Sequence, residues 1–199
     1  MQKTNLSPRR HRTVLAAALA VAGILGTGAL AAPPAIAAQG EITYTLHQNA
    51  TPSADEQDAY GRITAAMNAA VGRYNNLSDL TKNINAYYAP GVPTAEANIN
   101  GDVRFGANRS FMNERTALHE ISHTIGVGQS GGFFNLCGSG TWTGPQANAL
   151  IKSWDGPNAT ISCGGGHFWP YGLNYDNEWS ELNADRHVNL VEAMVADGM

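Results

Sequence analysis

The segment from His119 to His123 carries the residue types that metal-assisted hydrolysis needs. His119 and His123 are four residues apart, so on a helix their imidazoles lie one above the other and can hold one cation. Glu120 is rotated by about 100 degrees from His119, which places it close enough to accept a proton from water beside the cation. The spacing therefore predicts a zinc site with two histidine ligands and a catalytic glutamate.

The residues around this segment predict the helix that would bring His119 and His123 onto the same face. Asn113 can cap its start, Glu114 suits the positive end of the helix dipole, and Gly126 can end it. A separate apolar face would hold the helix against the core, so the imidazoles and the packing residues do not compete. That face consists of Leu118, Ile121 and Ile125.

The stretch from His119 to Gly126 resembles the zincin superfamily of zinc metallopeptidases. The resemblance implies a Zn²⁺ cofactor, a peptide or protein substrate, and an endopeptidase rather than an exopeptidase. In the metzincin branch a His or Asp ligand would stand where this chain has Gln129, which is a poor zinc ligand. The motif therefore leaves the third ligand open.

Two residues are candidates for the third zinc ligand. His167 follows Cys163 and three glycines, and a disulfide from Cys163 to Cys137 would tether it near the metal helix. We take His167 as the predicted ligand. The alternative is Glu181, whose Glu-x-x-x-Asp spacing with Asp185 resembles the gluzincin branch, although acids at a helix start explain the same residues.

Cys137 and Cys163 are the only cysteines, and an even number in an exported chain predicts a disulfide. Closing a loop of about 27 residues stabilises a fold by about 3.5 kcal/mol in the chain-entropy model. Two buried free thiols are the alternative.

Substrate contacts are indicated less directly. Tyr171 or Tyr175 can donate a hydrogen bond to a developing oxyanion, with aromatic packing as the alternative for each. The segment Val103–Phe105 precedes the metal helix, and by analogy with zincins we expect an exposed edge strand that binds an extended substrate. Met194 fits core packing on the last helix better than a position beneath the metal.

Residues 1–38 have the composition of a secretory signal peptide, cleaved near Ala37 or Ala38. A positive region is followed by an apolar run, Val14–Ala32, and a small-residue exit. An uncleaved signal anchor is the alternative, because the run of 19 residues can span a bilayer. The Arg- and Ala-rich leader favours secretion from a bacterium.

Removing the leader leaves 8 Lys and Arg against 16 Asp and Glu, a net charge of −8. Without a basic patch the mature chain is not expected to bind nucleic acid, and without its leader it is not expected to bind a membrane. We expect a monomer.

Residues 39–199 are predicted to form one α+β catalytic domain, zincin-like, with a few-stranded mixed sheet, an active-site helix and a loop-rich C-terminal half. The apolar periodicity predicts strands and helices in this order: a strand at 41–47, a helix from about 53 to 76, a strand at 84–88, a strand with a turn or bulge between 97 and 105, and helices at about 113–125, 146–154 and 183–196.

Two other functions fit the same residues. A non-catalytic exported binding domain would use zinc only to stabilise its fold, and would need a fourth protein ligand. A cell-wall amide hydrolase would keep the metal chemistry and place glycan-stacking aromatics, such as Trp169 and Trp179, around the cleft.

Overall fold

The computed structural model describes residues 41–199. They belong to one compact unit of the α+β class, with five α-helices, a four-stranded mixed sheet and a two-stranded antiparallel sheet. The predicted signal peptide over 1–38 lies outside the described residues. Within residues 41–199, no helix has the length and apolar character needed to cross a membrane.

The elements follow one another in this order: β1 Ile42–His47, α1 Ala54–Leu77, β2 Lys82–Tyr88, β3 Ala95–Ala97, β4 Asp102–Phe105, α2 Glu114–Ile125, α3 Gly131–Leu136, α4 Pro145–Asp155, β5 Ser162–Gly164, β6 His167–Trp169 and α5 Glu181–Ala196. Single 3₁₀ turns precede α2 and α5, at Arg109–Phe111 and Asp176–Glu178.

The four-stranded sheet has the order β1-β2-β4-β3, with β1, β2 and β4 parallel and β3 antiparallel to β4. The expectation that Val103–Phe105 is an edge strand is therefore wrong, because β4 is covered by β3. The chain reverses at 98–101, where the Asn98 side chain accepts hydrogen bonds from the backbone of Asn100 and Asp102, and Gly101 has a φ of 102°. The edge strand on this side of the sheet is β3, Ala95–Ala97.

Helix α1 is the main support of the sheet. Ser53 and Glu56 form a capping box at its start, so the first backbone N–H groups are satisfied. One stripe of the helix is fully buried and packs between the sheet, α2 and α5. Of the apolar residues that recur every three or four positions and predicted this helix, Ile63, Met67, Ala70 and Tyr74 are buried and Val71 is partly buried.

The C-terminal half contains more regular structure than the sequence indicated. Helix α3 and the β5–β6 hairpin are short, and neither was predicted. The predicted disulfide is present between Cys137, at the end of α3, and Cys163, in β5. It joins the segment that follows α2 to the β5–β6 hairpin, whose second strand begins at His167. Met194 is fully buried in the core, as expected.

Candidate metal centre

Helix α2 presents its two histidines from a firmly anchored backbone. The Asn113 side chain accepts a hydrogen bond from Thr116 N, and Gly126 ends the helix with a φ of 151°. Leu118 and Ile121 are fully buried on the packing face. The caps and the packing face follow the prediction, so the sequence alone determines how this helix is held.

The tautomers of both histidines are fixed by backbone carbonyls. His119 Nδ1 donates to Gly172 O and His123 Nδ1 donates to Val127 O, each at 2.8 Å. Each Nε2 is therefore left with a lone pair, and the two Nε2 atoms lie 3.2 Å apart. Two lone pairs at this distance repel one another unless a proton or a cation lies between them.

His167 completes a cluster of three imidazoles. Its ring centroid lies 5.2 Å from the centroids of both His119 and His123. One nitrogen from each of the three rings lies within 4.8 Å of the others, so together they are close enough to hold a metal ion. The predicted approach of His167 to the metal helix is therefore present.

Two features bring His167 to this position. The disulfide restrains Cys163, four residues earlier in the chain. Gly128, with a φ of 63°, packs directly against the hairpin turn, and a Cβ at this position would lie 2.1 Å from Gly166 O. The missing side chain at Gly128 therefore allows the hairpin to reach the end of α2.

The donor set fits zinc. Two nitrogens that bind one tetrahedral zinc at about 2.0–2.1 Å lie roughly 3.3 Å apart, which matches the separation of the two Nε2 atoms. Burial lowers the pKa of His119 well below its usual value, and it lowers that of His123 as well. Both rings are therefore neutral near pH 7 and able to donate lone pairs.

Glu120 lies beside the three histidines and is only 6% exposed. The pKa of its carboxyl group is raised to about 8, mainly by burial and also by the negative charge of Glu96 on β3, while the Arg115 guanidinium lowers it. A bound cation would lower this pKa again, because an opposite charge favours the carboxylate. The carboxylate thus has the environment of a group that exchanges a proton near neutral pH.

The histidines and Glu120 share one cavity of about 480 Å³. Its walls are the edge strand β3, one face of α2, the glycines at 165–166, and Tyr175, which is 63% exposed at the rim. Gln129 also lines the cavity, but the hairpin supplies the third imidazole. The edge strand that borders the cavity is therefore β3, and not β4 as the sequence analysis expected.

The structure places the remaining candidates elsewhere. Glu181 and Asp185 both pair with Arg73 and do not join the histidine cluster. The Tyr171 hydroxyl donates to Asp155, which removes it as an oxyanion donor. Neither Trp169 nor Trp179 lines the cavity.

A buried network supports the carbonyl that orients His119. His187 is fully buried, and its Nδ1 donates to Tyr171 O at 2.7 Å while its Nε2 lies 3.1 Å from the Tyr74 hydroxyl. Tyr171 has a φ of 67°, an uncommon conformation for a residue with a side chain. At Gly172 a Cβ would lie 2.0 Å from Phe168 O. His187 thus holds the segment that presents Gly172 O to His119.

No feature of the sequence indicated a role for His187, because its partners come from α1, from α2 and from the loop before α5. A signal did exist for Arg115, which lines the cavity: it lies four residues before His119, on the same side of α2.

Comparison of the chain with protein-family models, with curated proteins and with solved structures finds no match in any of the three.

Proposed function

We propose that the chain is a secreted zinc-dependent hydrolase that cleaves peptide bonds. One observation carries the proposal: three imidazoles converge beside a buried carboxylate, in a cavity bordered by an edge strand. The disulfide supports an extracellular location, because such bonds persist in oxidising compartments. The resemblance to zincins rests on the His119–Gly126 motif and on this arrangement.

The reaction follows from the positions of the side chains. When bound, zinc polarises the substrate carbonyl and makes water more acidic. Glu120 takes the proton of the attacking water and returns it to the departing nitrogen. His119, His123 and His167 remain neutral ligands, with the first two oriented by Gly172 O and Val127 O. The exposed Tyr175 hydroxyl, at the rim, is the remaining candidate to donate to the oxyanion.

The edge strand offers a way to bind the substrate. Strand β3 is paired on one side only, with β4, and it lines the cavity through Ala95–Ala97. An extended peptide can add to such an edge through backbone hydrogen bonds. This arrangement supports a peptide substrate over a glycan-linked one, since neither Trp169 nor Trp179 lines the cavity.

A purely structural zinc is supported less well. Structural sites are closed by four protein ligands, whereas the cluster found among residues 41–199 has three, all histidines. Glu181, which would be a candidate for a fourth ligand, pairs instead with Arg73. A site with three protein ligands leaves one position for water or substrate.

The test measures zinc content and casein hydrolysis of the purified protein and of Glu120→Gln. We expect one zinc per chain in both, with hydrolysis in the parent protein and a loss of at least a hundredfold in the variant. Glu192→Gln, in α5 and outside the cavity, is the matched control and should behave like the parent. Full zinc content without hydrolysis of any peptide would refute the proposal and favour the structural role.

A further inference from the structure

Arg115 places a buried positive charge on the wall of the cavity. It lies one helical turn before His119 and lines the same cavity as His119 and Glu120. The residue is only 6% exposed. Arginine is rarely buried to this extent unless its charge and its N–H groups are matched by partners.

The partners of Arg115 within the protein leave its charge incompletely matched. Nη1 donates to Leu173 O at 2.8 Å and Nη2 donates to Thr116 Oγ1 at 3.1 Å, and both acceptors are neutral. Asp176 is its ion-pair partner, 2.8 Å from Nε, but that carboxylate is 79% exposed and therefore screened by water. Nε is buried against this carboxylate without the geometry of a hydrogen bond. Nη1 and Nη2 each carry two N–H groups, and among the described residues each has one acceptor.

Free donors therefore remain on a guanidinium that borders the cavity. Arginine has five N–H donors in a fixed fork, and the fork matches the two oxygens of a carboxylate. The opposite wall is different, because Glu96 on β3 is negative and is paired with Arg104 at 3.0 Å. An anionic group on the substrate would thus be attracted to the α2 wall and not to the β3 wall.

The position of Arg115 sets how far this anion lies from the reacting bond. One helical turn separates Arg115 from His119, a rise of about 6 Å. An extended peptide advances about 3.3 Å per residue. The carboxylate would therefore belong to a residue one or two positions from the cleaved bond.

We propose that Arg115 is a specificity-determining residue that binds a substrate carboxylate, so that the substrates are acidic peptides. The carboxylate is either an Asp or Glu side chain or a free C-terminus, one or two residues from the cleaved bond. This inference rests on the proposed peptidase function. Its rival is that Arg115 only fastens the 173–176 segment to α2 through Leu173 and Asp176.

The experiment measures binding without turnover. Fluorescent peptide pools are titrated with zinc-loaded Glu120→Gln protein. The pools are compared in pairs, and the two pools of a pair differ only in having Asp or Asn at one position. This position is the first or the second residue on either side of the central bond. A second pair of pools ends in a free carboxylate or in an amide. Fluorescence anisotropy gives the acid-to-amide ratio of affinities for each pair, and the pair with the larger ratio identifies the source of the carboxylate.

We expect the acid form to bind about 10- to 100-fold more tightly in one of these pairs. Adding Arg115→Gln should bring the ratio close to one, and Arg115→Lys should retain part of it, because lysine keeps the charge but not the fork. Arg62→Gln, which removes an exposed arginine from α1, is the matched control and should leave the ratio unchanged.

Asp176→Asn separates the proposal from its rival. It weakens the fastening of the 173–176 segment while keeping the Arg115 charge, so we expect the acid preference to remain. Loss of the preference in Asp176→Asn, its survival in Arg115→Gln, or its absence from the start would overturn the inference. Circular dichroism establishes that each variant is folded, and Arg115→Lys replaces Arg115→Gln if the latter is not.

The same measurements distinguish the two proposals. Binding that depends on Arg115, together with no hydrolysis of any peptide by the parent protein, would refute the peptidase function and leave a carboxylate-binding site. Hydrolysis without an acid preference would support the peptidase and refute the role of Arg115.

Discussion

At the scale of single residues, the site depends on backbone carbonyls as much as on its histidines. Gly172 O and Val127 O each accept an Nδ1–H, and this leaves the Nε2 atoms of His119 and His123 facing one another. Partners of this kind typically contribute 10- to 100-fold in metal affinity. His187 belongs to the next layer, because it holds Tyr171, the residue before Gly172.

His187 should make the metal-free protein sensitive to acid. Burial lowers its pKa from the usual 6.5 to about 4, so between these values the unfolded chain binds the proton more readily. The contribution of His187 to stability is therefore fully present above pH 6.5 and falls by about 3 kcal/mol as the pH drops to 4. Urea unfolding in the presence of a chelator at pH 7.5, 5.5 and 4.5 measures this loss.

His187→Gln is the comparison, because glutamine does not titrate. We expect the difference in unfolding free energy between the parent and this variant to shrink steadily as the pH falls. A difference that stays constant from pH 7.5 to 4.5 would show that His187 does not bind the proton on unfolding.

The sequence was sufficient for the residues whose geometry is set within one helix. His119, Glu120 and His123 occupy the positions that the spacing of α2 implies. His167 could be chosen because the disulfide limited where its segment can lie. His187 and the edge strand could not be found, since their positions depend on contacts between segments distant in the chain.

At the scale of elements, the β5–β6 hairpin is the part that brings the third imidazole to α2. We predict that Gly128→Ala moves this hairpin, because the new Cβ would lie 2.1 Å from Gly166 O and the residue has a φ of 63°. Zinc affinity, measured by competition with a chelator, should fall at least tenfold, and stability by about 1–3 kcal/mol.

The matched control is Gly164→Ala in the same hairpin, where a Cβ meets no atom within 4 Å. It should leave zinc affinity unchanged. Equal effects of the two substitutions would mean that the contact between Gly128 and Gly166 does not position His167.

The disulfide is the second restraint on the hairpin. Replacing both Cys137 and Cys163 by serine should lower the free energy of unfolding by about 3 kcal/mol and weaken zinc binding, because His167 is then held less firmly. A dithiol reductant should have the same effect on the parent protein and none on the double variant. Unchanged zinc affinity in the double variant would show that the contact at Gly128 is sufficient.

The elements that could be predicted from the sequence are those long enough for their apolar periodicity to repeat several times. Helix α1 shows its apolar stripe over 24 residues, and its cap is also visible in the sequence. Strand β3 and the hairpin strands have three residues each, and α3 has six. Segments this short carry too few positions to show a period, so tertiary contacts determine their conformation.

At the scale of the whole molecule, the metal centre joins parts that have their own support. The buried core includes residues of α1, the sheet, α2, α3, α4 and α5, and the hairpin contributes Phe168 to it. Of the three imidazoles, two belong to α2 and one to the hairpin. A bound ion would therefore add a further link between the hairpin and α2, within a core that already includes Phe168.

We predict that chelation destabilises the protein without unfolding it. A ligand present at a thousandfold excess over its Kd stabilises the native state by about 4 kcal/mol. For a domain of this size that corresponds to a shift in Tm of about 8–16 °C. Thermal unfolding followed by circular dichroism, with zinc and with chelator, measures the shift, and the far-ultraviolet spectrum at 25 °C should be retained in both. His119→Ala should show no shift. Loss of the spectrum on chelation would instead mean that the core needs the ion, as expected of a structural zinc site, because the hairpin and α2 would then not fold without it.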